Sequence, residues 1–381
     1  MLNEVPVQEG VRQFLFHVWA DVLATSAVRY GGQAAETKAM IDAYSPGSAS
    51  SFIGENSGLV NTFTGDVFSY PSINTAGCTN ATVGAMTDAA LDKFEAAGND
   101  LDDYTNIAYV IGGGGCSFVA NGTVSAPGSS DLARSTYNDN CDVCSVGAHE
   151  LGHTLGIEHA STTACGSDKL YKASRSGCTD TEYGNRFDMM GISGGACATR
   201  GHYSVMHKRY AGYLSKCEDV TAGGSAVFRL SPAEGSCGMR SLSIPTAGES
   251  NYSYLEFRKP GAGEYSGVDG ESRVLLNVSN DPPAGDGPQA YLLDATPATS
   301  TITDAWLEVG TTYNLPGNVS IEVQSIGSIA KIQVTMPAGA GAKCRGGATP
   351  PSGSGGAIGG ICGEIADETY QAENKTYQKS C

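Results

Sequence analysis

The sequence predicts a mixed α/β (α+β) domain over residues 1–215, with a twisted mixed sheet, followed by an antiparallel β-sandwich-like domain over 216–338. Strand-like and helix-like segments alternate in the first region, whereas short β-like runs separated by turn residues fill the second. Hydrophobic residues make up 40% of the 381 residues, charged residues only 17%, and 51 residues are glycine. This composition is typical of a folded, loop-rich protein. A Gly/Pro/Ser-rich linker is predicted for 339–360 and a cysteine-containing tail for 361–381.

The elements of the first domain follow one another in an α/β order. "VRQFLFHVWADV" is rich in β-forming residues and predicts a first strand. "ATVGAMTDAALDKFEAAG" places apolar residues on one helical stripe from Ala81 and ends at Gly98, so it predicts a helix. "YTNIAYVIGG" predicts a buried strand, and "CSFVANGTVSA" an edge strand with turn residues. A second helix is expected from about Asp142.

The pattern of apolar and polar residues changes after about Ser215, where apolar runs become short and regularly spaced. Gly, Pro, Asn and Asp separate these runs, which is the pattern of an antiparallel sandwich. The predicted strands are "SAVFRLSPAEG", "MRSLSIP", "YSYLEFRKP", "SRVLLNVSN", "QAYLLDATP" and "KIQVTMP".

The net charge of −17 excludes some classes of partner. It disfavours binding to a nucleic-acid backbone and to an anionic membrane surface, because both are negatively charged. No apolar run approaches the roughly 20 residues that a membrane-spanning helix needs. We therefore expect neither a nucleic-acid partner nor a membrane span.

Cysteines and glycosylation sequons favour secretion. The chain has 12 cysteines, an even number that suits several disulfides in an oxidising compartment. The N-terminus has neither a basic region nor a small-residue cleavage site, so we interpret the chain as a mature form without its leader. Six N-x-Ser/Thr sequons accompany the cysteines, at Asn80, Asn121, Asn251, Asn277, Asn318 and Asn374.

The segment "AHELGHTLGIEHAS" holds three of the six histidines of the chain. On a helix, His149 and His153 project from one face a turn apart, as two ligands of one ion must. Glu150 is rotated off that face and can reach a water beside the ion. Gly156 permits a left-handed residue that ends the helix and turns the chain, so that His159 arrives as a third ligand.

Three neutral imidazoles with a fourth position open to water describe a catalytic zinc site. The plain alternative is a helix with a few polar histidines on its solvated face. Chance alone gives roughly 10⁻⁵ matches to the whole pattern in a chain of this composition, so the pattern favours metal ligation. Zinc lowers the pKa of its bound water toward about 7, and Glu150 would act as the general base.

The pattern HExxHxxGxxH resembles the metzincin signature, which also requires a methionine turn downstream. "EYGNRFDMMGISGG" supplies such a turn, and the resemblance implies that Met190 lies under the histidines as an apolar floor. Within the metzincins the chain is most similar to the gametolysin-type peptidases, through the motif, "HKRYAGYL" and "YLEFR". It differs in having Ala-Gly-Tyr where Leu-Gly-Trp is usual. The resemblance implies a secreted endopeptidase with Zn²⁺ that cleaves extracellular matrix or cell-wall glycoproteins.

Other interpretations remain open from the sequence. One is a catalytically weak metalloprotease-fold protein that serves adhesion or matrix binding, and another is a zinc hydrolase of small molecules. "CDVC" at Cys141 and Cys144 suggests a structural zinc module, although disulfides suit a secreted chain better. Calcium (Ca²⁺) stays a candidate second ion on the acidic composition alone, since no D-x-D-x-D-G run is present. His207 is a weaker candidate for a catalytic role.

Overall fold

The structure is a computed structural model, and the chain divides into two compact units, Met1–Thr154 and Leu155–Cys381. The structure describes residues 21–27, 48–58, 63–69, 79–111, 118–125, 132–138, 145–166, 177–191, 201–214, 218–235, 238–247, 252–262, 270–279, 289–299, 302–337, 343–344, 357–358, 369–372 and 375–378.

The first unit contains one six-stranded sheet in the order β2-β1-β4-β6-β5, with β3 also pairing with β1. All pairs are parallel except β5–β6, which is antiparallel. The strands are β1 Asp21–Ala27, β2 Phe63–Thr64, β3 Val67–Ser69, β4 Asn106–Ile111, β5 Ala120–Gly122 and β6 Ala133–Asn138. The predicted buried strand is β4, and the predicted edge strand is β5, so both predictions are confirmed. Most of the predicted first strand lies outside the described residues.

Within the described part of this unit, three helices accompany the sheet: α1 Ala49–Ser57, α2 Asn80–Ala96 and α3 Ser145–Thr154. Helix α2 matches the helix predicted from Ala81. The hydroxyl of Thr79 accepts from the backbone N–H of Thr82, and the hydroxyl of Thr82 accepts from the backbone N–H of Thr79. This reciprocal capping satisfies amides that the first turn leaves without helical partners. The buried stripe of α2 consists of Val83, Met86, Ala90 and Phe94.

The second unit contains two large sheets and a C-terminal hairpin. The eight-stranded sheet has the order β18-β9-β11-β12-β13-β14-β7-β8, and the five-stranded sheet the order β15-β16-β17-β10-β19. The strands are β7 Ala160–Ala164, β8 Thr179–Thr181, β9 Asp219–Thr221, β10 Ala226–Leu230, β11 Ser241–Pro245, β12 Tyr252–Arg258, β13 Arg273–Ser279, β14 Ala290–Leu293, β15 Thr312–Leu315, β16 Val319–Ile326, β17 Ala330–Thr335, β18 Lys343–Cys344, β19 Ala357–Ile358, β20 Thr369–Ala372 and β21 Lys375–Gln378. The helix α4 covers Val205–Tyr210.

The two large sheets share one hydrophobic core. Alternate residues of β16 and β17 face it, as Ile321 and Val323 do on β16, and residues of β11, β12 and β13 contribute from the other sheet. All six strands predicted in this region are present. Three further strands, β9, β15 and β16, were not predicted.

Strands from both sides of residue 215 belong to the eight-stranded sheet. β7 pairs in parallel with β14, with Ala160 opposite Ala290, and antiparallel with β8. The chain is thus a mixed α/β protein with several sheets and few helices, whereas the predicted division at residue 215 stays a prediction. None of the described helices is long and apolar enough to cross a membrane.

A group of fully buried charged side chains lies between α4 and β12. The Lys208 ammonium lies 2.6 Å from Nδ1 of His202 and donates to the carbonyl of Ala233. The Arg258 guanidinium pairs with two buried carboxylates, those of Glu234 and Glu256. Burial, together with the cations beside it, holds the pKa of His202 well below its ordinary value. Solvent does not reach these side chains.

Candidate metal centre

Helix α3 presents two of the three predicted ligands. His149 and His153 are four residues apart, and their ring centroids lie 4.9 Å apart with the rings nearly perpendicular. All ten residues of the helix are buried. The helix packs against α1, β5 and β6 of the same unit. The helical repeat and this packing together fix both imidazoles on one face.

The third histidine follows a turn that glycine makes possible. Gly156 has a φ of 82°, in the left-handed region that side-chain-bearing residues rarely occupy. The predicted left-handed residue at the end of the helix is therefore confirmed. Three residues later comes His159, directly before β7.

The ligand atoms of His149, His153 and His159 all lie within 4.8 Å of one another. This is the geometry in which one ion can be held, and three imidazoles suit a divalent transition metal. Within the ranges that the structure describes, no other group of three or more His, Cys, Asp or Glu side chains is close enough to hold a metal. The cluster could therefore bind a metal ion, as the motif predicts.

Glu150 lies in the same helix and is only 7% exposed. Burial raises the pKa of its carboxyl to about 7. The edge strand β5 comes very close to it: a Cβ on Gly122 would lie 2.7 Å from the Glu150 carbonyl oxygen and 3.1 Å from its Oε2. The backbone N–H of Ser125 also donates to the carbonyl of His153. The edge of the sheet and the helix are thus joined at the residues of the motif.

Met190 is completely buried, as an ordinary core methionine would also be, so its position beneath the three histidines stays a prediction. Its carbonyl accepts a hydrogen bond from Ala160, the residue after His159, at 2.8 Å. The Asp188 carboxylate accepts in turn from the backbone N–H of Met190 and of Ser204, at 2.8 and 2.6 Å. The turn therefore contacts the chain beside the third ligand through its backbone.

His207 lies within hydrogen-bond distance of the same carboxylate. Its Nδ1 is 3.1 Å from Oδ2 of Asp188, and both side chains are fully buried. Burial by itself raises the pKa of Asp188, but His207 and the backbone N–H of Met190 outweigh it, and the pKa is held below its ordinary value. His207 thus supports the turn.

Two residues beside His159 were not predicted to belong to the site. Glu182 lies 2.7 Å from Nδ1 of His159, and the ring centroid of Tyr183 lies 3.9 Å from that of the histidine. Glu182 lies 23 positions after His159, so only the pairing of β8 with β7 shows that the two side chains are in contact. The adjacent "EY" before the methionine turn was the only available signal.

Comparison with protein families, with curated proteins and with solved structures finds no match for this chain.

The structure places some of the cysteines and sequons that favour secretion. Cys165 and Cys178 form a disulfide between the far ends of β7 and β8. Cys141 and Cys144 lie outside the described residues. Among the sequons, Asn277 is fully buried and donates to the Glu256 carboxylate, so it has no room for a glycan in the folded protein. The side chains of Asn121 and Asn318 are exposed.

Proposed function

We propose that the protein is a secreted zinc-dependent endopeptidase of the metzincin type, most similar to the gametolysin-type peptidases. One observation carries the proposal. The three histidines of the motif converge within 4.8 Å, and the buried Glu150 lies beside the first of them on the same helix. Imidazole ligands with an adjacent carboxylate are the parts that metal-assisted peptide hydrolysis needs.

Each side chain has a defined role in this proposal. His149, His153 and His159 would hold the zinc ion, which supplies Lewis acidity for the scissile carbonyl and makes water a better nucleophile. Glu150 takes the proton of the attacking water and passes it to the leaving amine. Its burial keeps the carboxylate away from bulk solvent, where the transfer would compete with exchange.

The edge strand β5 supports a peptide as the substrate. Among the strands that the structure describes, it is the last one in its sheet, so one side of its backbone has no pairing partner among them. An extended peptide can add to such an edge through main-chain hydrogen bonds, which are independent of sequence. Gly122 brings that edge close to Glu150. We propose extracellular matrix or cell-wall glycoproteins as the natural substrates, in keeping with the cysteines and sequons that favour secretion.

Metal analysis and protein digestion test this function together. Purified protein is expected to contain one zinc per chain and to digest gelatin, and a chelator is expected to abolish digestion until zinc is restored. Glu150→Gln keeps the shape of the side chain but cannot accept a proton, so digestion should fall by at least about 100-fold while zinc remains bound.

Glu95→Gln, which neutralises an exposed carboxylate on α2, is the control and should digest normally. Near-full activity of the Glu150 variant with zinc bound would refute the mechanism. Zinc without any digestion would favour the adhesion or small-molecule interpretations.

A further inference from the structure

The turn that follows β8 encloses the imidazole of His159 on two sides. Glu182 accepts from the ring edge, through the 2.7 Å contact between its Oε1 and Nδ1 of the histidine. Tyr183 covers the ring face, with 3.9 Å between the two ring centroids and 42° between their planes. Two consecutive residues therefore constrain one ligand in two different directions.

Backbone pairing places this turn beside the ligand. β8 runs antiparallel to β7, which begins directly after His159. The N–H of Gly184 donates to the carbonyl of Thr181 and closes the turn. The N–H of Asn185 then donates to the carbonyl of Ala160 at 3.2 Å. The chain thus leaves the hairpin and returns to the residue next to the ligand, so the two side chains between these points must lie near it.

The backbone of Tyr183 is strained where it makes this contact. Its φ is 59°, which is uncommon for a residue with a bulky side chain. The residue is also 36% exposed, so burial does little to offset the strain. Strained residues persist where the surrounding structure fixes them, and they cluster at functional sites.

We infer that Glu182 and Tyr183 are positioning residues for the third metal ligand, an inference that rests on the proposed metal site. Glu182 accepts the Nδ1 proton, which makes Nε2 the nitrogen that faces the ion. Tyr183 holds the plane of the ring. A carboxylate on the outer nitrogen also makes the imidazole more basic and a better ligand. The pair matters for metal affinity more than for the fold, because the Glu182 side chain is 65% exposed.

Zinc affinity of the full chain tests the role of Glu182. Affinity is measured by competition with a chromophoric chelator at pH 7.5, and the thermal midpoint of the metal-free protein is recorded beside it. Glu182→Ala is expected to weaken zinc binding 10- to 100-fold, the usual effect of removing such a partner. Glu182→Gln should lose less, because the amide oxygen still accepts from Nδ1.

Asp180→Asn is the matched control, since it removes one exposed carboxylate two residues earlier and leaves His159 its acceptor. All of these variants should share the metal-free thermal midpoint. If Glu182→Ala binds zinc as tightly as the control does, the inference is wrong.

Tyr183 has its own pair of variants. Tyr183→Gly removes the ring and relieves the left-handed backbone, so the metal-free midpoint should hold or rise while zinc affinity falls several-fold. Tyr183→Phe keeps the ring and should restore the affinity. The absorption spectrum of the cobalt-loaded protein should change in the glycine variant and return in the phenylalanine variant. A glycine variant with native affinity and an unchanged spectrum would remove Tyr183 from the inference.

These outcomes separate from those of the proposed function. Tight zinc binding by the native chain that depends on Glu182, without gelatin digestion, would uphold the inference and refute the peptidase. Gelatin digestion by the native chain, together with a Glu182→Ala variant that binds zinc as tightly as the native chain, would uphold the peptidase and refute the inference. A native chain that binds no zinc would overturn both.

Discussion

His149 and His153 lie in a helix whose ten residues are all buried, whereas His159 lies in a loop and its side chain is 18% exposed. The helical pair receives its geometry from the 3.6-residue repeat and needs no distant partner to set the spacing. The third ligand depends on Glu182 and Tyr183, which return from a hairpin. The helix therefore supplies two of the proposed ligands and the proposed base, whereas the orientation of the third ligand is set by residues from another part of the chain.

The first prediction tests the rigidity of the helical side. Gly122→Ala places a Cβ 2.7 Å from the backbone oxygen of Glu150, where the neighbour cannot easily move. We expect the free energy of unfolding to fall by about 1–3 kcal/mol, as overpacking usually costs, and gelatin digestion to fall with it. Urea unfolding measures the stability.

Gly84→Ala is the control, because nothing lies within 4 Å of its Cβ and alanine is the better helix former. It should be stabilised by up to about 1 kcal/mol. A Gly122→Ala protein of native stability would show that the edge strand can move away from the helix.

The second prediction concerns the turn between the two kinds of ligand. Gly156→Ala forces alanine into a left-handed conformation, which costs about 1–2 kcal/mol of unfolding free energy. Gly98→Ala carries the same backbone penalty after α2, where φ is 83°. The two variants should lose similar stability in the metal-free state, measured by urea unfolding.

Zinc affinity should separate them, because only residue 156 directs the chain to His159. Equal zinc affinities in the two variants would mean that the loop reaches the ion whatever the conformation of residue 156.

The smallest expected effect comes from a buried histidine outside the cluster. The pKa of His202 is depressed by burial and by Lys208 beside it, so the folded protein does not bind the proton that the unfolded chain takes up below about pH 6.5. This contribution to stability is complete above that pH and is lost as the pH falls. Between pH 7 and 6 the metal-free protein should lose about 0.7 kcal/mol from this residue.

His202→Gln keeps an acceptor for Lys208 but does not titrate. Urea unfolding at the two pH values should show the smaller loss in this variant. An identical pH dependence in both proteins would mean that His202 takes up its proton in the folded protein as readily as in the unfolded chain, which would contradict the depressed pKa.

The sequence predicted those features whose residues lie close together along the chain. The spacing in "HELGHTLGIEH" sufficed for the cluster, and Gly156 for the turn, because all of these positions lie within one short segment. The alternating and apolar runs likewise predicted most strands. β16 was missed although Val319, Ile321 and Val323 alternate visibly, so the signal was present.

Contacts that depend on strand register could not be predicted. Glu182 reaches His159 only because β8 pairs with β7. The Asp188 carboxylate accepts a hydrogen bond from the backbone N–H of Ser204, 16 residues later along the chain, and no local pattern indicates that contact. The sequon at Asn277 failed for a related reason. Its sequence matches the glycosylation motif, but the Asn277 side chain is buried on a strand and its amide donates to the Glu256 carboxylate.

The strand after His159 has a consequence for how the protein responds to zinc supply. β7 is held by hydrogen bonds to β14, whose residues lie 130 positions later along the chain. A ligand that binds only the folded form stabilises it by mass action, by about 2.7 kcal/mol at a hundredfold excess over its dissociation constant. Because His159 directly precedes β7, that stabilisation extends to the eight-stranded sheet. If the proposed zinc site is occupied in the working protein, metal-free chains should therefore open at these strands more readily than zinc-loaded chains, and proteases should cut them there first.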